Sequence, residues 1–174
     1  DAAVSHFRTV DENGIKDVHD DWFVAQYFSK EKREHYNEKE YAFYFGYLTH
    51  LLTDKFWASK IVYGAKEKLS DLFEQDNVTF WKNVKRDWYD LDFLYLKKHP
   101  EFEAFRIYEG IKDFKNIYLD FFEEDAFEQR KKFIVEFYRK GVETVEERET
   151  YLSPEELDAF VELAVEKILK DYEE

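Results

Sequence analysis

The stretch that decides the fold runs from Asn37 to Gly64 and reads NEKEYAFYFGYLTHLLTDKFWASKIVYG. Asn37 with Glu40 three residues later is the pattern of a helix N-cap and its reciprocal acid. A glycine after the last apolar residue, Tyr63, is typical of a helix end. The stretch therefore predicts one helix of about 26 residues, which at about 1.5 Å per residue is long enough to cross a whole domain.

Helical periodicity continues along the rest of the chain, which carries only five glycines and two prolines among 174 residues. Valine and isoleucine do not alternate as they would in strands. In the last helix, Ser153, Pro154 and Glu156 have the spacing of a capping box with proline in the first turn. Three other helices are predicted. The first covers residues 20–28, and the second runs from a cap at Asn77 to the KKHP sequence, which ends at Pro100. The third runs from about Ala126 to Lys140 and ends at Gly141.

Two segments have weaker patterns. Residues 1–16 are predicted to be irregular, with DENG at residues 11–14 as a turn signal. Residues 101–125 are predicted to form short helices and loops. Because there is no internal repeat, low-complexity linker or boundary signal, the sequence predicts an all-α, single-domain multi-helix bundle over residues 1–174.

The composition limits the classes of partner. The chain has 26 basic and 40 acidic residues, a formal net charge of −14, so nucleic acid, which requires dense basic patches, is not an expected partner. No apolar run reaches the length of a membrane span. The absence of cysteine leaves histidine and carboxylate as the ligands of any transition metal. The 20% aromatic content favours a core packed with large rings or, alternatively, an aromatic-walled pocket.

The start of the sequence bears on location. The chain opens on Asp1 and contains no methionine, so we expect residues of the natural protein to precede Asp1. We expect a cytoplasmic protein, with secretion as the alternative because a signal peptide would lie upstream. The sequence leaves the oligomeric state open.

A polar row interrupts the apolar helix predicted around residue 50. Residues four apart lie one above the other on a helix, which places Gly46, His50 and Asp54 in one row. Glycine in a helix interior costs about 1 kcal/mol relative to alanine, so we expect another group to approach the backbone at Gly46. The imidazole and the carboxylate are explained either by ordinary hydrogen bonds, to each other or to a neighbouring helix, or by a divalent metal ion.

A second group of candidate ligands lies near the N-terminus. Asp1, His6 and His19 all precede the long helix. Together with His50 they favour the metal interpretation, in which an N-terminal loop and one long helix supply histidine and carboxylate ligands. Such a site leaves room for a metal-bound water, whose pKa the ion lowers towards neutrality.

Three short motifs carry a resemblance to a known family. DAAVSHF at residues 1–7, KDVH at residues 16–19 and GYLTHLLTDKFW at residues 46–57 resemble the bacterial zinc-dependent phospholipase C family, in particular its short members. Those proteins are all-helical, and many carry a PDA motif near the start, then KxxSH and then GYxxHLxTDxxW. The resemblance is specific over these three motifs and vague beyond them.

The resemblance implies a set of metal ligands. It implies that Asp1, His19, His50 and Asp54 bind zinc, as one or two ions, with another divalent metal as the alternative. Asp54 matches the family's bridging aspartate and is the candidate catalytic residue. A further histidine ligand of the family would lie upstream of this sequence. The full phospholipases also use two downstream histidines and a glutamate, whereas His99 is the only histidine here after Asp54, so we expect the third zinc site to be absent.

Three more residues are candidate substrate contacts: His6, Tyr47 and Trp57. His6 alternatively replaces His19 as a ligand, and the two aromatic residues alternatively pack in the core. His35 follows a glutamate by four residues, a spacing also found among metal ligands, but its charged neighbours favour a surface position.

The sequence RDWYDLD at residues 86–92 holds three further carboxylates, Asp87, Asp90 and Asp92. We expect these side chains to form an exposed acidic face, with Trp88 and Phe93 turned inwards. A carboxylate near the metal is the alternative.

These patterns and the resemblance together predict a metal-dependent phosphoric-ester hydrolase, similar to phospholipase C, in which a zinc-bound hydroxide attacks a phosphodiester. The expected substrate is a small phosphate ester or a phospholipid head group. One alternative is a nucleotide phosphohydrolase of the His-Asp type, for which the adjacent pair His19 and Asp20 is the signal. Another is a helical binding or scaffold protein without turnover, in which His50 and Asp54 only form hydrogen bonds.

Overall fold

The computed structural model describes residues 2–10, 16–148 and 150–172. Helices dominate these ranges, which confirms the all-α, multi-helix class. The helices are α1 Ala2–Ser5, α2 Asp20–Tyr27, α3 Lys30–Arg33, α4 Glu38–Trp57, α5 Tyr63–Lys68, α6 Ser70–Gln75, α7 Asn77–Lys98, α8 Glu103–Gly110, α9 Ala126–Thr144 and α10 Pro154–Tyr172. A π-helical turn, Ala58–Val62, joins α4 to α5. Within the described ranges, no helix combines the length and the apolar character needed to cross a membrane.

The contacts between residues divide the chain into two compact units. The first unit consists of Asp1–Gly64 and Asp158–Glu174, and the second of Ala65–Leu157. Each unit has buried hydrophobic residues of its own. The single-domain organisation over residues 1–174 stays a prediction.

Helix α4 begins as the sequence predicts. The Asn37 side chain accepts hydrogen bonds from the N–H groups of Lys39 and Glu40, at 3.0 Å each, and the Glu40 carboxylate accepts one from the Asn37 N–H at 2.9 Å. These bonds satisfy backbone donors that have no partner inside the helix. The predicted end at Gly64 is wrong, because the chain continues through the π-helical turn into α5. Gly64 also lacks the positive φ of a glycine C-cap.

The leucines of α4 lie in the core of the first unit. Those on one face of the helix are buried, namely Leu48, Leu51 and Leu52. Helix α2 lies against α4 and contributes the fully buried Phe23. From α10, the Phe160 ring meets the Trp57 ring edge to face, with 5.1 Å between the centroids. Helix α4 thus contributes to the apolar core of this unit through one of its faces.

A short antiparallel hairpin precedes α2, and the sequence analysis did not predict it. Strand β1, Arg8–Val10, pairs with β2, Lys16–Val18, with Thr9 opposite Asp17, and β2 lies against α4. Three residues are too few to show the alternation by which strands are identified in a sequence. The DENG turn signal at residues 11–14 lies outside the described residues.

Helix α7 of the second unit begins at a different cap from the one predicted. Asp76, not Asn77, caps the helix, and its side chain accepts a hydrogen bond from the Thr79 N–H at 3.0 Å. Asn77 is already the first helical residue, whereas a cap residue must keep its own backbone outside the helix. The end at Lys98, before Pro100, agrees with the prediction.

Helix α9 continues past Gly141 to Thr144, so the end predicted at the glycine is wrong. Gly141 is buried, and a Cβ atom added there would lie 2.4 Å from the ring of Phe93 in α7. The absence of a side chain at Gly141 therefore serves the close approach of α7 and α9, and the backbone remains helical.

A buried ion pair fixes the connection between α9 and α10. Asp87 is only 1% exposed, and it accepts hydrogen bonds from Arg148 Nη2 at 2.5 Å and from the Tyr151 N–H at 2.6 Å. Arg148 Nε also donates to Asp90 at 2.8 Å. The prediction of an exposed acidic face is therefore wrong, because Arg148, from a distant part of the sequence, pairs with Asp87 and Asp90 inside the unit.

Two further polar groups shape the second unit. Burial raises the pKa of Asp92, although the hydrogen bond from the Tyr138 hydroxyl, at 2.9 Å, opposes the shift. Asn116 is buried, and its amide nitrogen donates to the carbonyl groups of Leu119 and Phe122 at 2.6 and 2.7 Å. These bonds order the irregular segment between α8 and α9, where short helices and loops are predicted.

Helix α10 begins with the predicted capping box. Ser153 Oγ accepts a hydrogen bond from the Glu156 N–H at 3.1 Å, and the Glu156 carboxylate accepts one from the Ser153 N–H at 3.0 Å. Lys68 bonds to the same carboxylate and lowers the pKa of Glu156. Pro154 occupies the first helical position, where its missing N–H leaves no bond unmade.

We predict that Gly141→Ala destabilises the protein by about 1–3 kcal/mol, because the added methyl group overpacks the Phe93 ring. The measurement is the free energy of unfolding from urea denaturation followed by circular dichroism. Gly46→Ala is the matched control, since among the described residues no atom outside the adjoining backbone of α4 lies within 4 Å of its Cβ position, and there alanine should stabilise by about 0.5–1 kcal/mol. Equal effects of the two substitutions would contradict the packing role of Gly141.

Arg148→Ala should destabilise the protein by about 3–5 kcal/mol, because it leaves the Asp87 charge buried without its main partner. Arg86→Ala is the control, because the Arg86 side chain is 66% exposed and pairs with Asp90 at 3.5 Å. Its loss should cost less than about 1 kcal/mol. The same urea titration decides the matter: similar losses for the two variants would show that the buried pair does not hold the α9–α10 connection.

Candidate metal centre

Three side chains from two parts of the first unit converge on one point. His6, His50 and Asp54 each offer one ligand atom, and these atoms lie within 4.8 Å of one another. The two histidine rings meet edge to face, with centroids 5.1 Å apart. In the part of the chain that the structure describes, this is the one group of three or more potential ligands with such spacing.

Helix α4 supplies two of the three side chains. His50 Nδ1 and Asp54 Oδ1 are 3.9 Å apart, and the side chains are 48% and 43% exposed. They are this accessible because the leucines of the helix occupy the core-facing side. Among the described residues, no atom outside the adjoining backbone of α4 lies within 4 Å of a Cβ position at Gly46, so the expected close approach is not made by these residues.

The N-terminal segment supplies the third side chain. His6 directly follows α1, and its Nε2 atom lies 3.5 Å from Asp54 Oδ2. The next residue, Phe7, has a φ of 46°, which residues other than glycine rarely adopt. The Phe7 carbonyl accepts a hydrogen bond from the His19 N–H at 2.8 Å, and its ring packs on Phe23 at 5.5 Å. This turn directs the chain from α1 into β1 and leaves His6 beside α4.

Two neighbours contact the segment around His6. Ser5 Oγ lies 2.9 Å from His6 Nδ1, and the Tyr47 hydroxyl of α4 donates to the Ser5 carbonyl. Burial raises the pKa of Tyr47 well above its ordinary value, so the phenol stays a neutral donor at physiological pH. Nothing in the sequence marks Ser5 as a functional residue except its position beside a candidate histidine.

The electrostatics favour a neutral imidazole at His50. Burial is the main cause that lowers the pKa of His50, and His6 adds to the lowering, whereas the Asp54 carboxylate opposes it. A neutral ring nitrogen has the lone pair that a metal ion requires, and an imidazolium does not. The lowered pKa of His50 therefore favours the neutral ring that binds a cation.

The donor set fits a divalent transition metal. In a tetrahedral site with bonds of about 2.0–2.2 Å, neighbouring ligand atoms are about 3.3–3.6 Å apart. His6 Nε2 lies 3.5 Å from Asp54 Oδ2, and His50 Nδ1 lies 3.9 Å from the other carboxylate oxygen, Oδ1. One atom from each of the three side chains lies within 4.8 Å of the others, so side-chain rotations would bring the three atoms to tetrahedral spacing. Two histidines and a carboxylate form one of the ligand sets of catalytic zinc, in which the fourth position takes water or substrate.

Two predicted ligands are not part of this group. Asp1 lies outside the described residues. His19 Nε2 lies 2.7 Å from Thr9 Oγ1, and the His19 ring stacks on Trp22 with 4.1 Å between centroids. The structure does not bring His19 together with the three converging side chains. A ligand role for Asp1 or His19 stays a prediction.

The remaining candidates lie elsewhere. Trp57 packs against Phe160 of α10, which is a core contact, and its role as a substrate contact stays a prediction. His35 is exposed, and its Nδ1 atom bonds to the Glu31 carbonyl at 2.8 Å, so its predicted surface position is confirmed. His99 follows α7 in the second unit.

The adjacent pair His19 and Asp20 has separate partners. Lys55 Nζ bonds to Asp20 at 2.6 Å, and this bond is the main cause that raises the pKa of Lys55, with Asp17 and Asp21 adding to it. The Asp20 carboxylate is thus engaged with α4, whereas the His19 ring faces β1 and α2. The pair does not form a common ligand set in this structure.

No family model, curated protein or solved structure matches this chain. The likeness of the three motifs to zinc-dependent phospholipases C therefore stays a prediction. What the centre can do follows from its own geometry, which is two ring nitrogens and a carboxylate on a face that solvent reaches.

In the metal-free protein, we predict a pKa for His50 below the ordinary value of 6.5. Asp54→Asn should lower the pKa further, because the carboxylate favours the charged ring, and His6→Gln should raise it. The measurement is an NMR titration of the ring protons in the presence of a chelator. Since the folded-state pKa lies below the unfolded one, the protein should lose stability as the pH falls from about 6.5 through the folded-state pKa. A titration midpoint at or above 6.5 would refute the effect of burial.

Proposed function

We propose that the chain is a metal-dependent phosphoric-ester hydrolase with its centre at His6, His50 and Asp54. The observation that carries the proposal is the convergence of three ligand atoms, within 4.8 Å of one another, from two segments of the first unit. The motif GYLTHLLTDKFW, which contains two of these residues, adds its resemblance to zinc-dependent phospholipases C. A bound divalent ion would supply Lewis acidity towards a phosphoryl oxygen and would activate water at neutral pH.

Each residue has its own task in this proposal. His6 and His50 supply neutral nitrogen ligands, and the lowered pKa of His50 favours this. Asp54 supplies one carboxylate oxygen as a ligand, and its second oxygen orients the attacking water and accepts a proton from it. The side chains are 29%, 48% and 43% exposed in the order of the sequence, so solvent reaches the centre and is the available proton source for the leaving group.

The proposed substrate is a small phosphate ester or a phospholipid head group. An open centre with three protein ligands suits a phosphate that approaches from solvent. The three ligands account for one ion, preferably zinc, and a second ion would require ligands such as Asp1 or His19, which only the resemblance implies. The net charge of −14 repels anionic substrates at long range, so the attraction has to come from the ion.

One observation favours a second candidate function. His6 belongs to the N-terminal segment, whereas His50 and Asp54 belong to α4. An ion bound by all three would cross-link this segment to the helix and would stabilise the fold without turnover. The His-Asp type of nucleotide phosphohydrolase has less support, because His19 and Asp20 contact separate partners.

We predict that the chelator-treated protein takes up zinc, and that His50→Ala and Asp54→Ala each weaken zinc binding by more than about 100-fold, since loss of a ligand exceeds the 10–100-fold effect of its outer partners. Calorimetric titration measures the binding. His35→Ala is the matched control, because it removes an exposed histidine that is not part of the centre.

The zinc-loaded protein should then hydrolyse bis-p-nitrophenyl phosphate or p-nitrophenylphosphorylcholine, and both activities should be lost in the two ligand variants. Hydrolysis of nucleotides alone would favour the nucleotide phosphohydrolase. Zinc binding that raises the melting temperature without any turnover would favour the structural ion. A parent protein that is folded and takes up no divalent ion would refute both metal functions.

A further inference from the structure

We infer that Ser5 and Tyr47 position the His6 ring so that it binds the metal through Nε2, a role that rests on the proposed function. Ser5 Oγ lies 2.9 Å from His6 Nδ1, and the opposite ring nitrogen lies 3.5 Å from Asp54 Oδ2. The His6 ring thus has the Ser5 hydroxyl group on one side and the Asp54 carboxylate on the other. Ser5 and Tyr47 are positioning residues, because neither is itself one of the three ligands.

The hydroxyl group of Ser5 suits both states of the ring. A histidine that binds a metal generally donates its second ring N–H to an acceptor, which fixes its tautomer and orientation. A serine hydroxyl both donates and accepts. It can donate to Nδ1 while the Nε2–H points at Asp54, and it can accept from the Nδ1–H when Nε2 is the ligand. A carbonyl group at this position would serve only the second state.

Tyr47 holds the backbone from which Ser5 makes this contact. Its hydroxyl donates to the Ser5 carbonyl, across 42 residues of sequence. Helix α1 has only four residues, too few to be stable alone, so its place beside α4 depends on contacts of this kind. The Tyr47 ring stacks on the fully buried Phe23 with 5.2 Å between centroids, which restricts the direction of the phenol.

The position of Tyr47 on α4 couples this anchor to the centre. Tyr47 precedes His50 by three residues, so both side chains leave the same side of the helix. One rigid helix therefore carries both the ligand His50 and the Tyr47 hydroxyl group, which sets the distance between the N-terminal segment and α4. The spacing between the nitrogen atoms of His6 and His50 is then fixed before any ion binds, which reduces the entropy lost on binding.

The test separates the effect of the two hydroxyl groups on zinc affinity from the effect of side-chain packing. Zinc affinity is measured by competition with a chromogenic chelator for the parent, Ser5→Ala, Ser5→Thr and Tyr47→Phe. We expect Ser5→Ala and Tyr47→Phe to bind zinc about 10–100-fold more weakly, the range for a lost outer partner of a histidine ligand. Ser5→Thr keeps the hydroxyl and should restore the affinity of the parent.

Tyr36→Phe is the matched control. Tyr36 also donates from its phenol to a backbone carbonyl in the first unit, that of Tyr27, at 2.6 Å, and it is not part of the centre. It should lower the melting temperature as Tyr47→Phe does and leave the zinc affinity unchanged. If Tyr36→Phe weakens zinc binding as much as Tyr47→Phe, loss of general stability explains the effect and the positioning role is overturned.

Long-range ¹H–¹⁵N NMR of the zinc-loaded protein gives a readout that does not depend on affinity. We expect His6 to be metallated at Nε2 and protonated at Nδ1, with exchange of the Nδ1 proton faster in Ser5→Ala than in the parent. Ligation of His6 through Nδ1 would overturn the inference.

The two proposals fail in different ways. A parent that binds no divalent ion removes the proposed function and this inference with it. A parent that binds zinc through His50 and Asp54, together with unchanged affinity in Ser5→Ala and Tyr47→Phe, leaves the centre in place and overturns only the positioning role.

Discussion

The rotation of helix α4 about its axis is the constraint on which the first unit depends. Burial of Leu48 and Leu52 fixes this rotation, and at about 100° per residue His50 then lies about 200° from Leu48, on the opposite side of the helix. Asp54 follows one turn later on the same side. Because the core occupies only the leucine face, the side chains of the two candidate ligands stay 48% and 43% exposed. Tyr47 lies towards the boundary of the two faces, from which it reaches the N-terminal segment.

The second unit places its charges inside. Asp87 loses its hydration when it is buried, and the bonds from Arg148 and from the Tyr151 N–H replace that hydration. Such a pair contributes little net stability compared with a well-packed apolar group, but removal of one partner is costly. The pair therefore acts mainly by specifying where the chain between α9 and α10 must lie. Nothing in the sequence around residue 87 reveals this, since the arginine follows 61 residues later.

The predictable parts of the fold are those made by residues close in sequence. The caps of α4 and α10 depend on side chains three positions apart, so a linear pattern reveals them. The sequence wrongly predicts a helix end at Gly141, because the need for a glycine there arises from the ring of Phe93 in another helix. The same distinction holds at the centre. The alignment of His50 with Asp54 follows from the helical period, whereas the approach of His6 depends on the turn at Phe7, between α1 and β1, that no periodicity encodes.

The charge of the centre links the proposed chemistry to the fold. Phosphate esters are anionic, and a protein with a net charge of −14 repels them at long range. A divalent ion bound by one carboxylate and two neutral rings would leave a net positive charge at the centre, whereas a protonated His50 would oppose binding of the ion. Burial lowers the pKa of His50 and so favours the neutral ring. In the proposed function, the position of His50, where the polar row meets the packed segment around His6, is therefore a condition for attracting a phosphate to an acidic protein.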